Sequence, residues 1–223
     1  NVKCNLPMPS FIGVNGENAK KLSLDCGYPE KNIIELEALR YLYLNDISKH
    51  NTKDTNSECL NILVLGDYQK TNTNHQMLLL QEASKDVIKK IKIVVKPHPS
   101  CNIFASNYPR LNFTLTHTPL HKLLNDFSVI FASSNTSASI DAYYSGKFVL
   151  TVLDPSALNF SPLRGLDGAL FVESAKQLSD AINQFDKISD YNIHPEGYFY
   201  LTPSLPRWEK LLINPDKIKS ISK

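Results

Sequence analysis

Two short segments of the chain combine side chains that can hold or release a phosphate group. The first is Lys96-Pro97-His98-Pro99-Ser100. The two prolines restrict the backbone on either side of His98, so its imidazole is held on a stiff loop. An imidazole held in this way can donate a hydrogen bond to a phosphate or a leaving group, and Lys96 adds a positive charge. A surface loop with an incidental histidine explains the segment about as well.

The second segment is a run of small hydroxyl and amide side chains, Ser133-Ser134-Asn135-Thr136-Ser137. It directly precedes a predicted helix, and the free N–H groups and dipole of a helix N-terminus attract an anion. Capping the helix needs only one such residue. The length of the run therefore favours a phosphate site over simple capping. The sequence has no GxxxxGK[ST] motif, so it does not support magnesium-assisted triphosphate chemistry.

Two further candidates lie in polar turns. Gly66 allows a ligand to approach the backbone closely, and Asp67 follows it directly. A plain tight turn explains Gly66 about as well. Arg164 lies in a polar loop after Asp154-Pro155-Ser156 and can pair with a carboxylate or phosphate. A solvated arginine in a structural loop is equally consistent with the sequence.

All of these candidates follow predicted β-strands or lie in the loops after them. Short apolar runs alternate with helical segments, and the predicted strands cover residues 61–66, 91–96, 111–116, 128–132, 148–152 and 169–172. The predicted helices cover residues 74–90, 119–125, 137–145 and 174–185. This alternation predicts an α/β fold with a Rossmann-like, doubly wound parallel sheet. Ligands bind such sheets at the carboxyl ends of the strands, which is where the candidates lie.

Composition narrows the function further. The 223 residues are 42% hydrophobic, enough for a buried core, and 24 basic against 22 acidic residues leave a net charge of only +2. Nucleic acid is therefore not expected as a partner. The four cysteines are far apart, which predicts free thiols in a reducing cytoplasm rather than a zinc or redox site. No apolar stretch is long enough to span a bilayer, so at most peripheral membrane contact through the lysines near the C-terminus is expected.

Taken together, four segments resemble the C-terminal, donor-binding domain of GT-B glycosyltransferases: Val94–Pro99, Leu123–Ile130, Ser133–Thr136 and Asp141–Val149. The His-Pro pair followed by a serine run is similar to bacterial sialyltransferases, polysialyltransferases and Kdo transferases of capsule and O-antigen synthesis. These enzymes use CMP-activated acidic sugars.

The resemblance implies a role for each candidate residue. His98 would be catalytic, and with Ser133 and Ser134 it would touch the ribose-phosphate portion and help the phosphate leave. Many relatives carry Glu at the position of Asp141, for the ribose hydroxyls. The implied donor is a CMP- or UDP-linked sugar, with no further cofactor and no metal. The whole implied donor site comprises Gly66, Asp67, Lys96, His98, Pro99, Ser133, Ser134, Asn135, Thr136, Ser137, Asp141 and Arg164.

The N-terminal stretch resembles the crossover from the first Rossmann-like domain of these enzymes, in segments 12–16, 27–30 and 37–42. Residues 1–57 are accordingly predicted to be the end of that domain with an interdomain linker, and to lack regular strand–helix alternation apart from a helix around Ile34–Leu44. Residues 58–190 are predicted to form the nucleotide-sugar-binding domain, and residues 191–223 a C-terminal extension with a helix.

The resemblance also implies that the catalytic base and the site for a glycan or lipid-linked acceptor belong to an N-terminal domain. The chain is therefore expected to be the C-terminal half of a transferase, inactive alone, in the cytoplasm or at the cytoplasmic face of the inner membrane. Two alternatives stay open. One is a UDP-sugar-using transferase or UDP-GlcNAc 2-epimerase of the same architecture. The other is a non-catalytic, flavodoxin-like binding module.

Overall fold

The computed structural model describes residues 9–46, 59–156, 158–188 and 197–213. The chain divides into two compact units. The sheet unit comprises residues 48–194, and the terminal unit comprises residues 1–47 together with residues 195–223. The sequence instead predicts residues 1–57 and residues 191–223 as two separate segments.

The described strands are β1 (Ile12–Val14), β2 (Ile33–Glu35), β3 (Leu60–Leu65), β4 (Ile91–Lys96), β5 (Thr114–Leu115), β6 (Val129–Ser133), β7 (Phe148–Val152) and β8 (Ala169–Val172). The described α-helices are α1 (Glu17–Asp25), α2 (Lys70–Ala83), α3 (Leu120–Leu123), α4 (Ala138–Tyr144), α5 (Ala175–Asn183), α6 (Phe185–Ile188) and α7 (Pro206–Ile213). Short 3-10 helices cover Glu30–Asn32, Leu39–Asp46, Ala105–Asn107 and Leu124–Asp126.

The sheet unit is built on six parallel strands in the order β5-β4-β3-β6-β7-β8. The chain winds outward from β3 to β5, then returns to place β6 beside β3 and winds outward in the other direction. This order confirms the predicted doubly wound α/β fold. The winding direction reverses between β3 and β6, and ligands bind such sheets beyond the carboxyl ends of the strands at that reversal.

The central strands are buried because both of their faces are covered by helices. Every residue of β6 and β7 is buried, and in β3 Ile62, Leu63 and Val64 are fully inaccessible. From the helices, Met77 and Leu80 of α2 and Leu178 of α5 complete the same core cluster. Continuous apolar strands of this kind are typical of parallel sheets.

Gln76 of α2 is a buried polar residue within this core. Its side-chain amide donates hydrogen bonds to the carbonyl of Leu65, at 3.2 Å, and to the carbonyl of Phe131, at 3.0 Å. One side chain thus joins the carboxyl-terminal parts of β3 and β6.

Several element boundaries differ from the predicted ones. Helix α2 begins at Lys70 rather than at residue 74 and ends at Ala83 rather than at residue 90. After Ala83 the chain is no longer helical, although Val87 still packs against the core cluster, while Ile88 is 89% exposed. Strand β5 keeps only Thr114 and Leu115 of the predicted 111–116, and both residues are exposed.

The terminal unit contains a second, two-stranded parallel sheet in which Ile12 of β1 pairs with Ile33 of β2. Helix α1 joins the two strands, and Gly27, at φ 84°, follows its C-terminal turn. The prediction that residues 1–57 lack strand–helix alternation was therefore wrong for the described residues 9–46. Of the helix predicted around Ile34–Leu44, the first part is strand β2, and a 3-10 helix begins at Leu39. Helix α1 buries none of its residues, so its sequence carries no strong apolar period.

Residues near the C-terminus complete this unit. The backbone of Tyr200 donates to the carbonyl of Asn15 at 2.8 Å and accepts from the amide of Ala38 at 2.9 Å. The ring of Phe199 stacks on Tyr41 with 4.4 Å between centroids. Throughout the described part of the chain, no helix combines the length and apolar character needed to cross a membrane.

Candidate functional site

Asp67 lies in the first turn after β3 and is almost fully buried. Its Oδ1 accepts a hydrogen bond from the amide of Gln69 at 2.8 Å, and its Oδ2 accepts one from Nδ2 of Asn72 at 3.3 Å. The hydroxyl of Ser133, at the end of β6, also donates to Oδ2. These hydrogen bonds replace those to water that a buried carboxyl group loses. Asp67 therefore ties the end of β6 to the turn after β3.

Gly66 brings the histidine loop against the same turn. Its amide donates to the carbonyl of Lys96 at 3.0 Å. A methyl group placed on Gly66 would lie 3.2 Å from the amide nitrogen of His98 and 3.4 Å from the Cα of Pro97. A side chain at this position would therefore press tightly against the histidine loop, a close approach that a plain tight turn does not require.

The imidazole of His98 is fixed by its own loop. The amide of Ser100 donates to its Nδ1 at 3.2 Å, and the hydroxyl of Ser100 lies 2.7 Å from the same nitrogen. The Ser100 hydroxyl also lies 3.4 Å from the carbonyl of Tyr68. The rings of Tyr68 and His98 meet edge to face, with their centroids 6.4 Å apart. Because Nδ1 accepts the bond from the Ser100 amide, a neutral His98 carries its hydrogen on Nε2, where it is a donor.

A cleft of about 470 Å³ opens at this edge of the sheet unit. Its lining comes from the loops after β3, β6 and β7 and from the start of α2. The lining residues are Tyr68, Gln69, Asn72, Ser134, Asn135, Asp154, Leu158 and Phe160. Ser134 and Asn135 belong to the predicted hydroxyl run. His98 does not line the cleft but contacts Tyr68, which does.

The other members of the hydroxyl run, Ser133, Thr136 and Ser137, do not line the cleft. Ser133 donates to Asp67, as described above. The Thr136 hydroxyl accepts from the amide of Ala138 at 3.4 Å, and its carbonyl accepts from the hydroxyl of Ser139 at 2.7 Å. Ser137 is exposed at the start of α4 and makes no side-chain capping bond. Only part of the run is therefore presented to the cleft.

Two predicted residues lie away from this cleft. Asp141 is half-buried in the first turn of α4. Arg164 is exposed in the loop between β7 and β8, and its backbone amide donates to the carbonyl of Ser161 at 3.2 Å. Neither residue is among those that line the cleft.

Asp154 is the acidic residue of the cleft lining. Its Oδ1 accepts from the amide of Ser156 at 2.8 Å and from the Ser156 hydroxyl at 2.6 Å. These bonds lower the pKa of the carboxyl group below its ordinary value, and the nearby charge of His75 lowers it further. Asp154 is accordingly ionised at neutral pH.

The candidate residues from the sequence omitted six residues of the lining: Tyr68, Gln69, Asn72, Asp154, Leu158 and Phe160. Asn72 was missed because the predicted helix began too late. Asp154 had a usable signal, since Asp-Pro-Ser directly after a strand is typical of a turn in which the aspartate accepts from the following residues. Among the described residues, no group of three or more His, Cys, Asp or Glu side chains is arranged to bind a metal ion.

No protein-family model and no curated protein sequence matches this chain. Solved structures are similar in fold. The UDP-GlcNAc 2-epimerase of Methanocaldococcus jannaschii, in complex with UDP-GlcNAc and UDP, superposes with a TM-score of 0.59 at 13% identity over 92% of this chain. The UDP-GlcNAc 2-epimerase of Neisseria meningitidis, bound to UDP-GlcNAc, gives 0.52 at 12% over 93%. A glycosyltransferase of Rickettsia africae gives 0.52 at 15% over 96%.

These similarities show that the chain has the α/β fold of GT-B glycosyltransferases and UDP-GlcNAc 2-epimerases. At such low identity they show the fold alone. The chain spans 61% of the length of each of the two epimerases and 64% of the glycosyltransferase. The narrower resemblance to sialyltransferases and Kdo transferases stays a prediction.

Proposed function

We propose that this chain binds the nucleotide-sugar donor of a glycosyltransferase. The observation that carries the proposal is the meeting of three strand-end segments beside one cleft: the turn after β3, the histidine loop after β4 and the loop after β6. Folds with this sheet order bind ligands at that point. The similar solved structures include proteins that hold UDP-sugars.

In this proposal His98 is the residue that assists departure of the nucleotide phosphate. Its Nδ1 is already occupied by Ser100, so the Nε2–H is the group left to donate to a phosphate oxygen. Ser134 and Asn135 offer further polar groups from the cleft lining. Asp67 acts indirectly, because its hydrogen bonds with Ser133 and Asn72 hold the two neighbouring loops together.

The finer form of the proposal follows the sequence resemblance. The donor would be a CMP-activated acidic sugar, and the product a bacterial capsule or O-antigen glycan. Acceptor binding and the catalytic base would come from a further domain, since the chain spans less than two thirds of the similar proteins. A UDP-linked donor is the second form. The charge of the cleft lining, in which Asp154 is the charged member, supports this second form.

Calorimetric titration of the chain with CMP, CDP, UDP and GDP tests the proposal. We expect one of these nucleotides to bind, and His98→Ala to weaken that binding by about tenfold or more, because a hydrogen bond to a charged phosphate is lost. His121→Ala is the matched control, since His121 is exposed on α3 and outside the cleft lining. If no nucleotide binds at millimolar concentration, the chain is instead a non-catalytic module.

A further inference from the structure

The polar lining of the cleft is neutral apart from one carboxylate. Gln69, Asn72, Ser134 and Asn135 offer amide and hydroxyl groups, and Asp154 is the charged member. No lysine or arginine is among the described residues that line it. The two positively charged candidates of the sequence, Lys96 and Arg164, lie outside this lining. A carboxylate on a ligand would therefore meet Asp154 but no lysine or arginine among the described residues that line the cleft.

Asp154 is held ready to accept hydrogen bonds from a ligand. Both bonds from Ser156 go to Oδ1, and Oδ2 accepts none from the residues that the structure describes. The turn with Ser156 fixes the side chain, so little conformational freedom would be lost on binding. An ionised carboxylate with a free oxygen is a strong acceptor for hydroxyl groups and repels another carboxylate.

The rest of the lining suits the apolar faces of a sugar ring. Leu158 is 73% exposed and Phe160 is 68% exposed, both on the loop that carries Asp154. Tyr68, more than half exposed, belongs to the loop after β3. Large apolar side chains left exposed around a polar cleft mark a ligand-binding surface. A pyranose ring has C–H groups on its faces, which can pack against such apolar side chains, and hydroxyl groups around its edge, which can form hydrogen bonds.

We propose that this cleft takes the sugar of the donor, that this sugar carries no acidic group, and that its hydroxyls donate to Asp154. The inference rests on the proposed function, since it concerns the sugar attached to the bound nucleotide. It favours an uncharged hexosyl donor over the CMP-activated acidic sugar that the sequence resemblance implies. Asp154 becomes a specificity-determining residue of the donor site.

A matched pair of donors tests the inference. UDP-glucose and UDP-glucuronate share the nucleotide and differ by one carboxylate on the sugar. By calorimetry on the full chain, we expect UDP-glucose to bind about tenfold more tightly than UDP-glucuronate, since the ring hydroxyls gain a charged acceptor and the acid is repelled. Asp154→Asn should abolish most of this difference by weakening UDP-glucose and strengthening UDP-glucuronate.

Asp167→Asn is the control for loss of charge. Asp167 is exposed in the same loop between β7 and β8 but does not line the cleft, so this variant should keep the wild-type ratio. If the chain selects CMP over UDP, the comparison becomes CMP against CMP-N-acetylneuraminate. The acidic sugar should then weaken binding in the wild type and cease to do so in Asp154→Asn.

The outcomes separate the two proposals. Equal or tighter binding of the acidic donor, or a ratio that Asp154→Asn leaves unchanged, overturns the inference while nucleotide binding stands. Failure of CMP, CDP, UDP and GDP alike to bind at millimolar concentration overturns the proposed function itself, and the inference with it.

Discussion

Gly66 determines how closely the histidine loop approaches the end of β3. Its amide donates to the carbonyl of Lys96, and a Cβ atom on it would lie only 3.2 Å from the amide nitrogen of His98 and 3.4 Å from the Cα of Pro97. Backbone atoms cannot rotate away as a flexible side chain does. The position of the His98 loop thus depends on the absence of a Cβ atom at residue 66.

Gly66→Ala should therefore displace the histidine loop by a few tenths of an ångström. We expect a loss of about 1–3 kcal/mol in the free energy of unfolding, as for other overpacked sites, together with weaker nucleotide binding. Urea denaturation followed by circular dichroism measures the first effect, and calorimetry measures the second. Unchanged stability and affinity would mean that the loop tolerates the shift.

Ser133 illustrates which residue-level features the sequence could not provide. Its place after a buried strand was predictable, and the structure does bring it to the expected edge of the sheet. Its partner was not predictable, because the hydroxyl donates to Asp67, a residue from a distant part of the chain. Hydrogen bonds between loops depend on tertiary geometry, and sequence spacing does not encode it.

At the scale of elements, helix α7 is fixed by a carboxylate from elsewhere in the terminal unit. The backbone amides of Arg207 and Trp208 donate to Glu37 at 3.1 and 3.2 Å, and the Arg207 guanidinium adds a bond at 3.2 Å. The indole of Trp208 donates to the Glu37 carbonyl at 2.9 Å. An anion at the N-terminus of a helix accepts hydrogen bonds from the free amides there and interacts favourably with the positive end of the helix dipole.

This arrangement predicts a pH dependence of the terminal unit. Burial by itself would raise the pKa of Glu37, but the hydrogen bonds from Arg207 and Trp208 outweigh it and lower the pKa below its ordinary value. The stabilisation is therefore present above the unfolded pKa of about 4.3 and is lost as the pH falls through the lower folded pKa. Denaturation at several pH values, followed by fluorescence of Trp208, the only tryptophan, should show this loss.

Glu37→Gln should cost about 2 kcal/mol at neutral pH and flatten the acid limb of the curve. Glu209→Gln, an exposed change on α7 itself, should do neither. An acid limb of equal size in wild type and Glu37→Gln would show that other carboxylates cause it.

Element prediction from the sequence succeeded where a short run rich in apolar residues is clearly delimited. Strands β4, β7 and β8 have the predicted bounds, although only β7 is buried along its whole length. Ser174 caps α5 as predicted, its hydroxyl accepting from the amide of Gln177 at 3.3 Å. Strands β1 and β2 escaped prediction because each has three residues, none of β2 is buried, and the helix between them is polar.

At the scale of the whole molecule, the two units differ in how much apolar surface they bury. The main core cluster lies entirely in the sheet unit. Among the residues of the terminal unit that the structure describes, the buried hydrophobic ones are Val14, Tyr28, Ala38, Leu44 and Tyr200. Local stability follows such burial, so the two units should open at different free energies.

Hydrogen exchange on the full chain should reveal this difference. We expect the amides of β3, β6 and β7 to exchange only through global unfolding, and those of β1 and β2 to exchange faster by local opening. Equal protection of the amides in β1 and β2 and of those in β3, β6 and β7 would show instead that the two units unfold together. Fluorescence of Trp208 and circular dichroism should likewise give separate transitions in urea if the units open independently.

The pairing of β3 with β6 bears on how the sheet assembles. Leu65 and Ala132 lie side by side at the end of these strands although β4 and β5 come between them in the chain. Closing so long a loop is slow, because its entropy must be lost before the contacts form. We therefore expect the cleft beside that pairing to be among the later parts to assemble, because Ser134 and Asn135 reach it only once β6 lies against β3. A donor that binds there selectively stabilises the finished sheet.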